Sequence, residues 1–572
     1  MTKGGKTAFV VVGILVGGLV AVAFMVRMSQ QPAKGSVLEM VLEGEVPDYV
    51  PVDGLARIFG GDELTMRDYV EALRLARDDS RINGLLVTID GPEVGTGKRQ
   101  ELRDAISDFQ RGGKWAAAYL ETAGEFSPGN RDYYLATGCG RIWLAPPGDI
   151  NLTGLRAEVP FIRGTLEKLD IVPDFDHIGK YKNAMNTITE KVMNEPHREA
   201  MDALVSTVFG QIKRGIAAGR KITEDDVEAL IDRGPYVGPK ALEAKLVDAL
   251  GYRDEMEKHL EEENGGSLPL VKVGQYLKAG RFFNSGPKVA LIYGLGGVSR
   301  GENDANPMTG EMSMGSTTTA AAIKQAREDA SIKAIVFRVD SPGGSYIASD
   351  VIHHEVMLTK GVKPFVVSMG DVAGSGGYFV AMAADRIVAE PATITASIGV
   401  LAGKLITTGF WDKVGITFDA VQRGRHATYF SSGSKFSPEE RALFQEWLDR
   451  IYKDFVTKAA KGRNKTYDEI HAVAQGRIWS GEDALRLGLI DELGGLTTAI
   501  GRALELAKLP PEGRVQLVVL PEKKNLIFEF LGGGEVRSPF ASLRGQVRKF
   551  IEEGPSPLPD GVLSMPFVPV LR

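Results

Sequence analysis

Two stretches of the chain repeat one plan, and that duplication limits the possible fold more than any other feature of the 572 residues. In the later half, KAIVFRVDSPGGSYIASDVI (333–352) sets a Val/Ile-rich run before a glycine turn and a helical pattern. In the earlier half, NGLLVTIDGPEVGTGKRQEL (83–102) does the same, with Asp90-Gly91-Pro92 falling on Asp340-Ser341-Pro342. Residues 133–154 then match 378–399, and ALEAKLVDALG (241–251) matches ALRLGLIDELG (484–494). Separated matches in one order mark an internal repeat. Each copy alternates short apolar runs with helical patterns, as parallel β/α crossover units with buried strands do. The predicted fold class is therefore α/β, with one domain over 35–278 and a second over 289–520. Between them AGRFFNSGPK (279–288) has the Gly, Asn and Pro of a linker. Residues 521–572 have no counterpart and form an extension with a Pro-rich end, left without a fold.

The amino end predicts a membrane anchor over 1–30. AFVVVGILVGGLVAVAFMV (8–26) is an apolar run long enough, as a helix, to cross a bilayer core of about 30 Å. It is longer than the core of a usual signal peptide, although Ala21-Val22-Ala23 leaves cleavage open as the other reading. Lys3 and Lys6 favour a cytoplasmic amino end. The folded body is then expected on the far, periplasmic side of the inner membrane. A net charge of -6 speaks against nucleic acid as a partner. With Cys139 as the sole cysteine and the histidines scattered, neither an intrachain disulfide nor a Cys/His metal cluster is expected, and the chemistry should need no cofactor.

Function is best sought where the copies diverge. Gly343 and Gly344 in DSPGGS face Glu93 and Val94 in the first copy, and Ser375 in GSGGY faces Asn130. The later copy alone thus offers a glycine-framed hydroxyl beside a turn able to bring backbone N–H groups to an oxyanion. The other reading of Ser375 is a helix N-cap. A base is harder to find: His353 and His354 fall in a predicted helix, and His426 has only polar neighbours. A buried lysine can serve, because desolvation disfavours the ammonium form. DFDHIGKYKNAM (174–185) falls on TFDAVQRGRHAT (417–428), which sets Lys182 against Arg425, a side chain that stays protonated. Lys182 can equally be one more surface cation in a Lys-rich stretch.

Taken together, DSPGGS (340–345), GSGGYFVA (374–381), ASIGV (396–400) and GKYKNA (179–184) resemble the tandem-domain form of the signal peptide peptidase A, or protease IV, family. The resemblance covers about residues 35–510. It implies crotonase/Clp-protease-like domains and a membrane-anchored serine peptidase that degrades signal-peptide remnants as a homotetramer. It further implies a dyad of Ser375 as nucleophile and Lys182 as general base, drawn from the two domains. Gly344 and Gly376 are then the expected oxyanion donors, with Gly343 permitting the turn, and an extended peptide is expected to add a strand beside DSPGGS. Ser397 is expected to orient the lysine, with helix capping as its alternative. The sequence departs from the family pattern in KNAMNTITEKVM, which lacks an acidic-proline pair, and in the Val-Ala-Gly before the serine. A crotonase-like acyl-CoA enzyme and a catalytically silent peptide-binding scaffold remain the alternatives.

Overall fold

The structure, a computed structural model, describes residues 31–50, 63–280, 286–305, 311–511, 514–521 and 563–564. The apolar run 8–26 and nearly all of 521–572 lie outside the described residues. Among the described residues no helix is long and apolar enough to cross a membrane.

Two compact units make up the chain. The first holds the described residues of Met1–Val94, Leu102–Gly154 and Ile212–Ser285. The second holds Gly95–Glu101, Leu155–Gln211 and the described residues of Gly286–Arg572. This grouping differs from the single boundary expected at 279–288, because 95–101 and 155–211 belong to the later unit. A repeat records which residues correspond; it does not record which core a segment packs on.

The first unit carries a six-stranded parallel sheet in the order Ala249–Leu250, Arg141–Leu144, Trp115–Leu120, Ile82–Glu93, Ser36–Glu45, Leu270–Lys272. Its central strand buries Leu85, Leu86 and Val87 in succession, so both faces of the sheet are covered. The second unit repeats the arrangement around Lys288–Leu295, Ile332–Ser341, Phe365–Gly374 and Arg386–Ala389, again in parallel. Identical bonds recur in both. Tyr133 and Tyr378 donate their hydroxyls to Leu246 O (2.7 Å) and Leu489 O (2.9 Å). The amides of Ile142 and Ile387 donate to Asp248 (2.7 Å) and Asp491 (2.8 Å). Residues shared by the copies therefore hold the fold.

The second sheet differs where it matters. The Phe365–Gly374 strand forks: Val366–Ser368 pair with Arg386–Val388, whereas Val372–Gly374 pair with Ile394–Ala396. On its other side, Val339 and Ser341 oppose Met369 and Ala373, so the strand bulges between them. The fork sets Gly374 beside Ala396 and leaves Ser375 at the end of the strand. A long helix, Pro438–Arg463, is started by a Ser437/Glu440 capping box.

Candidate active site

Ser375 follows the strand directly and precedes the Gly376–Ala381 helix. Its backbone is at φ 53° and ψ -112°, a left-handed conformation that strains a residue bearing a Cβ. Two bonds hold it there: Ser375 N–H donates to Ala396 O (2.7 Å), and Phe379 N–H donates to Ser375 O (2.9 Å). The side chain does not cap the helix, so the N-cap reading fails. Its hydroxyl instead points at Lys182. The glycines after it are demanded by close approach: a Cβ on Gly376 would stand 2.9 Å from Gly344 N, and one on Gly377 would stand 2.6 Å from Ser341 O.

Lys182 reaches the serine on a ribbon. The Val172–Ile178 strand pairs antiparallel with Val400–Ile406 along its whole length and leads into the Gly179–Lys182 turn. Tyr181 N–H donates to Gln475 O (2.9 Å) and Lys182 N–H to Gly179 O (3.1 Å), fixing the turn. Lys182 belongs to the first copy by repeat, yet it sits with Ser375 in the later unit. Its Nζ lies 2.8 Å from Ser375 Oγ and 3.1 Å from Ser397 Oγ, and it donates to Ser397 O at 3.2 Å. Lys182 is 1% exposed, and burial pushes its amine down to about 7, where the neutral form is abundant. The surface-cation reading therefore fails.

Sequence reasoning missed two glycines that make room for this lysine. A Cβ on Gly476, at φ 77°, would stand 2.5 Å from Lys182 Cα, and one on Gly399 would stand 3.1 Å from its Cδ. Gly399 lies inside ASIGV, which offered a signal; Gly476 offered none. Ser397 itself is at φ 51° beside Ala396 at φ 65°. It leads through Ile398 and Gly399 into a strand, so helix capping does not arise.

The turn Asp340–Gly344 packs against the serine from the other side. Gly343 is at φ 101°, and a Cβ on Gly344 would collide with Val298 O. Ser341 Oγ donates to Gly296 O (2.6 Å) and accepts from Gly343 N–H (3.2 Å). Below the turn is a second group missed in the sequence. Lys98 Nζ meets Asp340 at 2.7 Å, while Asp371 accepts from the amides of Gly95 (3.0 Å) and Lys98 (2.9 Å). Asp340 also accepts from Val372 N–H (3.0 Å). Segment 95–101 thus ties the glycine turn to the end of the serine strand.

Among the described residues the first copy shows no such site. Asn130, in the position of Ser375, donates to Gly154 O (2.8 Å) and accepts from the amides of Thr153 and Gly154, both at 3.0 Å. It is a loop tie. Arg425, opposite Lys182 in the repeat, pairs with Glu439 at 3.2 Å on the surface. His353 is a buried helix residue against Phe379 and takes no part.

The model of Peptidase family S49 matches residues 125–266 and 358–510. The chain is similar to Serine protease SPPA, chloroplastic, of Arabidopsis thaliana, with 33% identity over 93% of this chain and 79% of that one. It is similar to Protease 4 of Salmonella typhi at 32%, over 84% and 80%, and to Protease 4 of Haemophilus influenzae at 29%, over 78% and 74%. A solved structure of a ClpP1 mutant from Listeria monocytogenes aligns with TM-score 0.23 and 14% identity, over 36% of this chain and 90% of that one.

Proposed function

From the premise that the chain belongs to peptidase family S49, among the signal peptide peptidase A proteins, and is a serine peptidase, we propose that Ser375 is its nucleophile and Lys182 its general base. The observation that carries this reading is the 2.8 Å separation of Nζ and Oγ between two buried side chains. The neutral amine takes the hydroxyl proton as Oγ attacks the scissile carbonyl. The amides of Gly344 and Gly376 stabilise the developing oxyanion, with Gly343 shaping the turn. Lys182 then passes its proton to the leaving nitrogen, which frees the amine product and leaves an acyl ester on Ser375. A water deprotonated by Lys182 attacks that ester, and the returning proton restores the serine. Ser397 holds Nζ in line throughout.

Family membership sets the acyl-CoA alternative aside. The finer parts of the proposal are crotonase/Clp-protease-like domains, a membrane tether at 1–30, a periplasmic body, homotetrameric assembly and apolar signal-peptide remnants as substrates. The apolar run 8–26 supports the tether, and the paired parallel sheets support the fold. The test is hydrolysis of a fluorogenic tripeptide amide ending in leucine by the full chain, Ser375→Ala and Lys182→Ala. Loss in both variants with the fold retained is expected; full activity in either one overturns the dyad.

A further inference from the structure

One short stretch, Gln475–Arg477, holds the surroundings of Lys182 from two sides. Gln475 O accepts from the N–H of Tyr181, the residue before the lysine (2.9 Å), and Gly476 N–H donates to Ile398 O (2.7 Å). Arg477 O accepts from Ser397 N–H (3.0 Å), and Ser397 is the residue whose hydroxyl meets Nζ. The Ile478–Ser480 strand that follows pairs antiparallel with Ile394–Ala396, Ile478 opposite Ala396. The bond from Ser397 to Arg477 therefore carries that ladder one step further, to the lysine.

The side chain of Arg477 acts on the other neighbour. Its guanidinium lies 4.7 Å from the centre of the Tyr181 ring and 4.3 Å from a ring centre of Trp479. Arg477 Nη1 donates to Glu199 (2.5 Å), and the Tyr181 hydroxyl donates to both oxygens of the same carboxylate (2.8 and 2.9 Å). The buried Nε meets no acceptor among the described residues, so stacking and one ion pair place this side chain. Both lead to Tyr181. A planar guanidinium suits that stack as an ammonium does not. The main chain of Arg477 thus fixes Ser397, and its side chain fixes Tyr181. A long, flexible lysine is an efficient base only when its amine is held in line with the hydroxyl it deprotonates.

Resting on the peptidase reading above, we propose that Arg477 is a positioning residue for the reaction: acting through Tyr181 and Ser397, it holds Lys182 Nζ in line with Ser375 Oγ.

The test compares the full chain with Arg477→Met, Arg477→Lys, Glu199→Gln, Ser397→Ala and the double variant Arg477→Met/Ser397→Ala. All are assayed with the fluorogenic tripeptide amide and with a fluorophosphonate, and circular dichroism reads the fold. Arg477→Met should lower kcat about tenfold or more with KM within about twofold, and should slow labelling of Ser375 in proportion. Arg477→Lys should recover part of the loss, since it can pair with Glu199 but cannot lie flat between two rings. In the double variant the loss should be smaller than the product of the two single losses, because both changes act on one amine. Glu199→Gln loosens the same clamp from its half-exposed side and should lower kcat about two- to threefold. That variant decides the matter should Arg477→Met fail to fold. Unchanged kcat in the folded variants, a rise in KM in place of a fall in kcat, or losses that simply multiply overturn the proposal, while hydrolysis by the full chain leaves the peptidase reading standing. No hydrolysis and no labelling of Ser375 in the full chain overturns both.

Discussion

Lys182 Nζ stands 2.8 Å from Ser375 Oγ across 193 positions of sequence. No charged partner depresses the lysine; burial alone does. That one cause governs both the pH dependence of the chemistry and a cost to the fold.

On the proposed dyad, the neutral amine is the working form. Activity, read as kcat/KM, should fall tenfold per unit as pH drops well below about 7 and level off above it. A profile flat from pH 5 to 8 contradicts a lysine base.

For the fold, the folded amine titrates near 7 and the unfolded one near 10.5, so the unfolded chain binds the extra proton between them. Wild-type stability should rise relative to Lys182→Met by about 1.4 kcal/mol per pH unit across that window, the penalty being complete below it. Denaturant melts of both proteins at pH 6.5, 8 and 9.5 read the slope, and parallel curves would remove burial as the cause.

Ser397 touches Nζ twice, through Oγ at 3.1 Å and O at 3.2 Å. Ser397→Ala removes only the first contact, so kcat should fall about tenfold with KM nearly unchanged, and the pH limb should move. Ser397→Thr should recover part of the loss. An unmoved limb would leave Ser397 a purely structural residue.

Gly376→Ala places a methyl 2.9 Å from Gly344 N and 2.8 Å from Ser349 Oγ. It should cost about 10²–10³ in kcat, the range for a lost oxyanion donor. Retained turnover would show that the developing charge is held elsewhere.

Much of this was legible in the sequence, and the limits have physical causes. The duplication placed the strands: the Val/Ile-rich run in KAIVFRVDSPGGSYIASDVI (333–352) is the Ile332–Ser341 strand, and the helical pattern after its glycine turn is the Tyr346–Thr359 helix. The divergence between copies singled out Ser375 and Lys182, because residues that hold the fold recur and residues that serve one site need not. The packing of 155–211 in the later unit was not legible, since repeat correspondence says nothing of which core a segment joins. Gly476 and Lys98 were missed for a related reason. Room for Lys182 Cα and the ion pair with Asp340 both depend on chain stretches distant in sequence, and no local pattern announces them.

Fluorophosphonate labelling of the full chain, with the adduct located by mass spectrometry and its rate followed against pH, tests the central claim most directly. The dyad predicts one adduct, on Ser375, whose rate of formation climbs through pH about 7 and is abolished in Lys182→Ala. An adduct on another serine, or on Ser375 at an undiminished rate in Lys182→Ala, would contradict it.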